Sequence, residues 1–418
     1  MLWILFLLPP LWISLLAKES FREPKLLLSE WLGLASLLPL AFRLRAIDRV
    51  GGHELWRVRA LVAVVPLVLV ATLSLATTHH PAHVREGVAD LWIGAACLVG
   101  WSAGLPRPRL SRLLAGLLVP ATALALLGLL QFHGVQPLRF EGPARAGRLA
   151  ITSLAGNPGD LAAYLVLPCL LAAWFGLREW QGRRRGTVLT ASAVAWVVCL
   201  YALTATETIS AFAAVGLGTL VLGAAFTPRR LLAPSAVGAL VLGTLLILGV
   251  APLRSRVVEK ARQLAHGDWN SVLTGRLDGW RAALWMAGEH PLTGVGQGAF
   301  ETEFVPAKLA LLGRGAKFYT ETIEATFANA HSEPLNLTAE LGLPGLLALG
   351  WGLWILGRAL RQLGATADRR EAALAWAGAA GLAILALFQF PFRIALVSFP
   401  ALLFLAWVFQ GAEGEEEP

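Results

Sequence analysis

Twelve long apolar runs constrain this chain more than any other feature. They fall near 1–17, 26–42, 60–77, 88–105, 113–132, 158–177, 187–204, 208–226, 233–252, 335–357, 371–388 and 394–410. A helix crosses the hydrocarbon core of a bilayer with about 20 apolar residues. In lipid every backbone N–H and C=O must be bonded internally, which only helices and closed barrels achieve, and runs this long and continuous do not suit barrel strands. The sequence therefore predicts an all-α polytopic membrane protein of about twelve transmembrane helices, with 1–418 as a single transmembrane domain. Only 15% of the residues are charged, against about 25% in soluble domains. The first run has no basic segment ahead of it and no small-residue cleavage site before Lys18, so it is expected to stay as a helix.

A net charge of +8 suggests either a nucleic-acid partner or basic loops on the cytoplasmic side of a membrane. Counting from an inside N-terminus decides between them. The short inner loops hold Arg43, Arg45, Arg49, Arg57 and Arg59, then Arg107, Arg109 and Arg112, then Arg178 and Arg183 to Arg185. They continue with Arg229, Arg230, Arg358, Arg361, Arg369 and Arg370. Fewer lie in the short outer loops: Lys18, Arg22, Lys25, Arg85, Arg139, Arg145, Arg148 and Arg393. Long inserts are exempt from the rule. The bias predicts both termini in the cytoplasm and the long insert 253–334, between the ninth and tenth helices, on the outer side. No nucleic acid is needed to explain the charge. Cys97, Cys169 and Cys199 lie in apolar runs, where cysteine behaves as a small hydrophobe, and no disulfide is expected.

An ionisable group inside a span costs about 2.5–3.5 kcal/mol on insertion scales. Glu340 is the clearest such group; Glu30 and Asp90 lie nearer span ends. A coupled transporter needs more charges near the midplane, so the chain reads better as one that works at its outer boundary. There the insert carries RLDGWRAALWMAGEHP, with Trp280, Leu284 and Trp285 at helical spacing, suited to a membrane interface. Arginines gather on the same side: Arg139, Arg145 and Arg148, then Arg254, Arg256, Arg262, Arg276 and Arg281. The guanidinium fork matches phosphate oxygens, so a lipid-linked phosphate or pyrophosphate would fit there; headgroup contacts or ion pairs within the loop would use the same residues.

His331 opens the tenth helix in HSEPLNLTAELGLPG. It serves either as a cap or wet surface group, or as a proton acceptor near neutral pH. At 3.6 residues per turn Gly342 and Gly345 share its face, which predicts close approach of a neighbouring helix there. Asn336 and Glu340 point elsewhere, so Glu340 should not pair with His331. Thr77-Thr78-His79-His80-Pro81-Ala82-His83 offers metal-ligand chemistry but reads as a solvated loop. Gly294-x-Gly296-x-Gly298 follows no βαβ strand, which excludes a dinucleotide site.

Together these residues resemble a known family. His331-Ser332, nine residues, then Gly342-x-x-Gly345 resembles the signature of the O-antigen ligase and O-antigen polymerase superfamily. Arg276-x-x-x-Trp280 followed by EHPLTGVGQGAF is similar to its pre-signature segment, and SLAGNPGDLAAYL, from Ser153 to Leu165, to its Gly-Asn-Pro stretch. The resemblance implies a GT-C-type membrane glycosyltransferase of the bacterial inner membrane with a periplasmic active site. Such an enzyme is inverting, metal-independent and without a cofactor. It moves a glycan from an undecaprenyl-pyrophosphate carrier to a lipid A core sugar (ligase) or to another carrier-linked repeat (polymerase). Carried over, His331 is the catalytic base and Arg276 holds the pyrophosphate, with Arg148, Arg254, Arg256, Ser332 and Glu207 as the rest of the substrate-binding set and Gly342 and Gly345 structural. One departure stands out. Where the family has Thr-x-Ser-Arg, this chain has Thr204-Ala205-Thr206-Glu207, and a carboxylate there repels a diphosphate. Either Arg148, Arg254 or Arg256 replaces the arginine with Glu207 holding it, or the donor site has diverged, or the chain is inactive. Ser332 stands where Asn is common. The readings from other classes are a polytopic transporter and a non-catalytic assembly protein.

Overall fold

A computed structural model describes residues 8–14, 21, 23–47, 58–137, 147–182, 186–228, 230, 249, 251–319 and 327–413. In chain order the helices are α1 (Glu23–Ile47), α2 (Arg59–Leu73), α3 (Pro81–Gly104), α4 (Arg107–Gly116), α5 (Leu118–Phe132), α6 (Pro158–Gln181), α7 (Thr187–Thr206) and α8 (Ile209–Phe226). They continue as α9 (Ala251–Ala265), α10 (Arg276–Glu289), α11 (Phe300–Gly313), α12 (Glu333–Thr366), α13 (Arg369–Phe388) and α14 (Ala395–Glu413). Among the described residues there is no strand, and nine helices are long and apolar enough to cross a membrane. These are α2 with its 3₁₀ extension, α3, α4 joined to α5, α6, α7, α8, α12, α13 and α14. The protein is an all-α, multi-pass membrane protein.

The nine coincide with nine of the twelve apolar runs, and the run at 26–42 lies within α1. The runs at 1–17 and 233–252 fall largely outside the described residues. The described part of the first is not the continuous helix its apolarity predicts. Pro9–Leu11 make one 3₁₀ turn and Trp12 is extended, because neither Pro9 nor Pro10 has an N–H to give to a helix.

α6 and α14 are the most enclosed spans. α6 starts where Asn157 accepts a hydrogen bond from the Gly159 N–H at 2.7 Å, with Pro158 in the first turn, a capping pair that fits the orphan donors of a helix start. Around α6 pack α7, α8 and α13. A Cβ on Gly218 would sit 2.6 Å from Leu170 Cδ2 of α6 and 3.2 Å from the Ala377 carbonyl oxygen, so the glycine permits close packing there. Leu69, Leu73, Val119, Val197, Leu353 and Trp354 remain exposed on the outside, the expected surface for spans whose solvent is lipid.

The insert is helical and shares a core with the bundle. Ala282, Ala283, Met286, Phe300 and Phe304 cluster with Ala71, Val84 and Val88 of the α2–α3 region and with Leu337 and Leu341 of α12. α10 turns its small residues inward, with Gly279 against the backbone of Ala330 and Leu284 outward. Asp278, fully buried, accepts from Asn270 Nδ2 at 2.7 Å and from the Tyr319 N–H at 2.8 Å. The first turn of α10 is thereby fixed over the start of α12.

Candidate active site

The helix that follows His331 is broken. Gly342 has φ 64° and ψ −159°, a conformation open essentially to glycine alone. Pro344 lies two residues on and has no N–H to complete the ladder. The freed groups bond to the segment His290–Gly298. The Ala339 carbonyl accepts from Val295 at 3.0 Å and the Glu340 carbonyl from Gly296 at 2.8 Å, while the Leu343 N–H donates to the Pro291 carbonyl at 2.8 Å. A Cβ on Gly342 would sit 2.6 Å from the Pro291 oxygen, and one on Gly294 2.2 Å from the Glu340 carbonyl. This corrects the expectation that Gly342 and Gly345 admit a neighbouring helix. What approaches Gly342 is the HPLTGVG loop, and a Cβ on Gly345 would meet Leu341 and the Leu337 carbonyl of its own helix. A shared helical face requires an unbroken ladder, and Gly342 breaks it.

His331 precedes this helix in a left-handed conformation, φ 54°. That costs a non-glycine residue about 1–2 kcal/mol, and such strain gathers at working sites. Glu207 (φ 52°) and Thr274 (φ 59°), beside Arg276, share it. Ser332 takes the N-cap position and is buried, and the Asn336 side chain accepts from the Ala330 N–H at 2.8 Å. The imidazole lies between two edge-on rings, Phe327 at 5.6 Å and Phe390 at 5.0 Å between centroids. Its ring nitrogens hydrogen-bond to no described residue. Burial, and then the positive charge of Arg276, push its pKa down to about 4, so the ring is neutral at pH 7.

Arg276 gives Nε to the Phe388 carbonyl at 3.1 Å and Nη1 to the Leu273 carbonyl at 3.1 Å. Its pKa is lowered by burial and by Arg256 and Arg148. Arg256 is likewise lowered by burial and Arg148, while Glu207 acts the other way. Lys260 is lowered by burial, then by Arg256, Arg276 and Arg148. Four cationic side chains are thus held within electrostatic reach of one another, and the ion pair among them is Arg256 Nη1 to Glu207 Oε2 at 3.7 Å. Glu207 holds an arginine, one of the alternatives its sequence left open. Arg254 is exposed and forms no ion pair with a described residue. Arg139 and Arg145 lie outside the described residues. Lys260 carries no signal in the sequence because two of the arginines it meets, Arg148 and Arg276, lie elsewhere in the chain.

Glu340 does not face His331. Completely buried, it receives both terminal nitrogens of Arg393, Nη1 to Oε1 at 3.1 Å. His80 pairs with Glu303 at 2.7 Å, which ties the start of α3 to α11. The three cysteines are free and buried.

No curated protein matches the chain. Residues 194–350 match the family model described as O-Antigen ligase. That range spans Glu207, Arg256, Arg276, His331 and the Gly342 break, and the family is one of membrane glycosyltransferases with glycan and lipid-linked substrates. Over residues 194–350 the chain is thus similar to the O-antigen ligase family, which supports its resemblance to the O-antigen ligase and O-antigen polymerase superfamily.

Proposed function

We propose that the chain transfers a glycan from an undecaprenyl-pyrophosphate carrier to a sugar hydroxyl on the periplasmic side of the bacterial inner membrane, without a metal or other cofactor. The observation that carries the reading is a neutral imidazole within the field of Arg276, which itself lies within electrostatic reach of Arg256, Arg148 and Lys260, beside a helix start at one end of a membrane bundle. Four cations held together, with only Glu207 and Glu259 set against them among the described residues, suit a multiply charged anion. A glycosyl diphosphate supplies one, and each charge-assisted hydrogen bond to it contributes about 1.5–3 kcal/mol.

The chemistry balances with few parts. The acceptor oxygen attacks the anomeric carbon from the side opposite the diphosphate, and its proton passes to the free nitrogen of His331. The bond from the anomeric carbon to the diphosphate oxygen breaks with its electron pair, so the sugar centre is inverted. The departing carrier diphosphate gains one negative charge, which Arg276, Arg256, Arg148 and Lys260 stabilise. Glu207 in this reading orients Arg256 and does not touch the donor.

A ligase and a polymerase differ only in whose hydroxyl stands at His331. We favour the ligase, attaching glycan to a glycolipid core, with a carrier-linked repeat as the alternative acceptor. Glu340, the clearest charge within a span, is paired with Arg393. The test is transfer in proteoliposomes supplied with carrier-linked glycan. His331→Ala should lower kcat by about 10²–10⁴ at normal expression. Arg276→Ala should raise the donor KM by about 10–100-fold. Full activity in His331→Ala would remove the base, and unchanged donor KM in Arg276→Ala would remove the diphosphate site.

A further inference from the structure

An imidazole that accepts a proton is commonly aimed by a hydrogen bond to its second nitrogen, from a carboxylate or a carbonyl. His331 has no such bond to a described residue. What surrounds its ring is Phe327 on one side and Phe390 on another. Among the described residues it is these walls that aim the ring.

Phe390 lies in the short turn between α13 and α14, and Arg393 ends that turn. The Arg393 guanidinium reaches two carboxylates of α12 at once. Its Nη atoms grip Glu340, with Nη1 at 3.1 Å, and its Nε lies 3.7 Å from Glu333 Oε2. Glu333 and Glu340 are seven residues apart and so share one helix face. The other oxygen of Glu333 accepts the N–H of Phe392 at 3.1 Å. At the far end of the turn Gln389 Nε2 donates to Ser210 Oγ of α8 at 2.8 Å. The Phe390 turn is therefore bolted to the first two turns of the same helix that His331 opens.

Stability alone does not account for this network. Burying three charges roughly breaks even against apolar side chains of the same volume, whereas a bidentate pair imposes a geometry that apolar contacts do not. Here that geometry fixes one aromatic wall relative to His331. The charge that acts on the imidazole is Arg276 from α10; Glu333 and Arg393 pair with each other.

We propose that Arg393, held by Glu333 and Glu340, is a positioning residue: it sets the Phe390 turn, and through Phe390 the direction in which His331 presents its proton-accepting nitrogen. The inference rests on His331 being the base. It makes Arg393 and Glu340 part of the turnover machinery without contact with either substrate.

The experiment compares Arg393→Met, Arg393→Lys, Phe390→Leu, the double variant Arg393→Met with Phe390→Leu, and His331→Ala in the proteoliposome transfer assay. Arg393→Met combined with Glu333→Gln and Glu340→Gln removes every charge of the network and guards against misfolding from stranded carboxylates. Misalignment at a reacting group costs about 10²-fold. We expect Arg393→Met, Phe390→Leu and the charge-free triple variant each to lose kcat on that scale with donor KM within about twofold. Arg393→Lys should recover part of the loss. The double variant should be no worse than its more damaged single parent, because both act through one wall. Losses that add in the double variant, or a donor KM that rises as much as kcat falls, overturn the proposal. Normal kcat in Arg393→Met and Phe390→Leu beside an inactive His331→Ala overturns the positioning role and leaves the base intact. An active His331→Ala instead overturns the base assignment itself.

Discussion

At the scale of single residues, the depressed basicity of His331 has a measurable consequence. Burial and then Arg276 hold its folded pKa near 4, below the ordinary 6.5. Between these values the unfolded chain binds a proton that the folded chain does not, so this residue's contribution to stability is complete above pH 6.5 and is lost as pH falls towards 4. In a pH series of thermal unfolding in detergent, His331→Gln should show a shallower decline across that window than the parent. Catalysis should follow the same group. The acid limb of kcat/KM, which reports the free enzyme, should lie near pH 4. The limb of kcat should lie higher, because a bound diphosphate favours the imidazolium. Arg276→Ala should move the kcat/KM limb upward. A limb at 6.5 in both parameters would contradict the buried, arginine-shadowed histidine. Glu207 also belongs to this scale. A carboxylate at the place of a family arginine suggests a broken site when read in the sequence; in the fold it is 3.7 Å from Arg256, so it holds an arginine, one of the alternatives the sequence leaves open.

At the scale of elements, the decisive feature is the exchange of hydrogen bonds between the broken α12 and the loop His290–Gly298. Three backbone bonds cross from loop to helix, and the break exists because Gly342 can occupy φ 64°, ψ −159°. Adding a methyl group at Gly342 combines a backbone penalty of about 1–3 kcal/mol with a contact 2.6 Å from the Pro291 oxygen. Gly342→Ala should therefore lower thermal stability in detergent and detach the loop, read as faster proteolysis within 290–298. Gly350→Ala, where the same test meets nothing within 4 Å, should do neither. The tenth helix and its opening residues were legible in the sequence, since Pro334 and the apolar run mark them. The break was not. Two glycines at helical spacing fit both a packing face and a kink, and only the position of the loop distinguishes them.

At the scale of the whole molecule, the insert is joined to the bundle through a common core with α2, α3 and α12, so the side of the membrane on which it lies is also the side of His331. Under the proposed function that side faces the periplasm, as the positive-inside bias predicts. A cysteine placed at Leu292, 71% exposed, should be labelled by a membrane-impermeant maleimide added to spheroplasts, the three native cysteines being buried. Labelling only after lysis would reverse the orientation and remove the periplasmic site. What the sequence determined by itself is what depends on local composition and period. It determined which segments are apolar enough to live in lipid, that they are helical, where one helix begins at His331, and the motif resemblance that the match over 194–350 bears out. What only the tertiary structure decided is which distant residues share a volume. Arg148, Arg256, Lys260 and Arg276 come together from three segments, Glu340 finds Arg393 across 53 positions, and Phe390 stands against His331 from another turn. Apolarity and helical period act between near neighbours and leave their mark in the string, whereas charge pairing and ring contacts depend on distance in space, which chain order does not record.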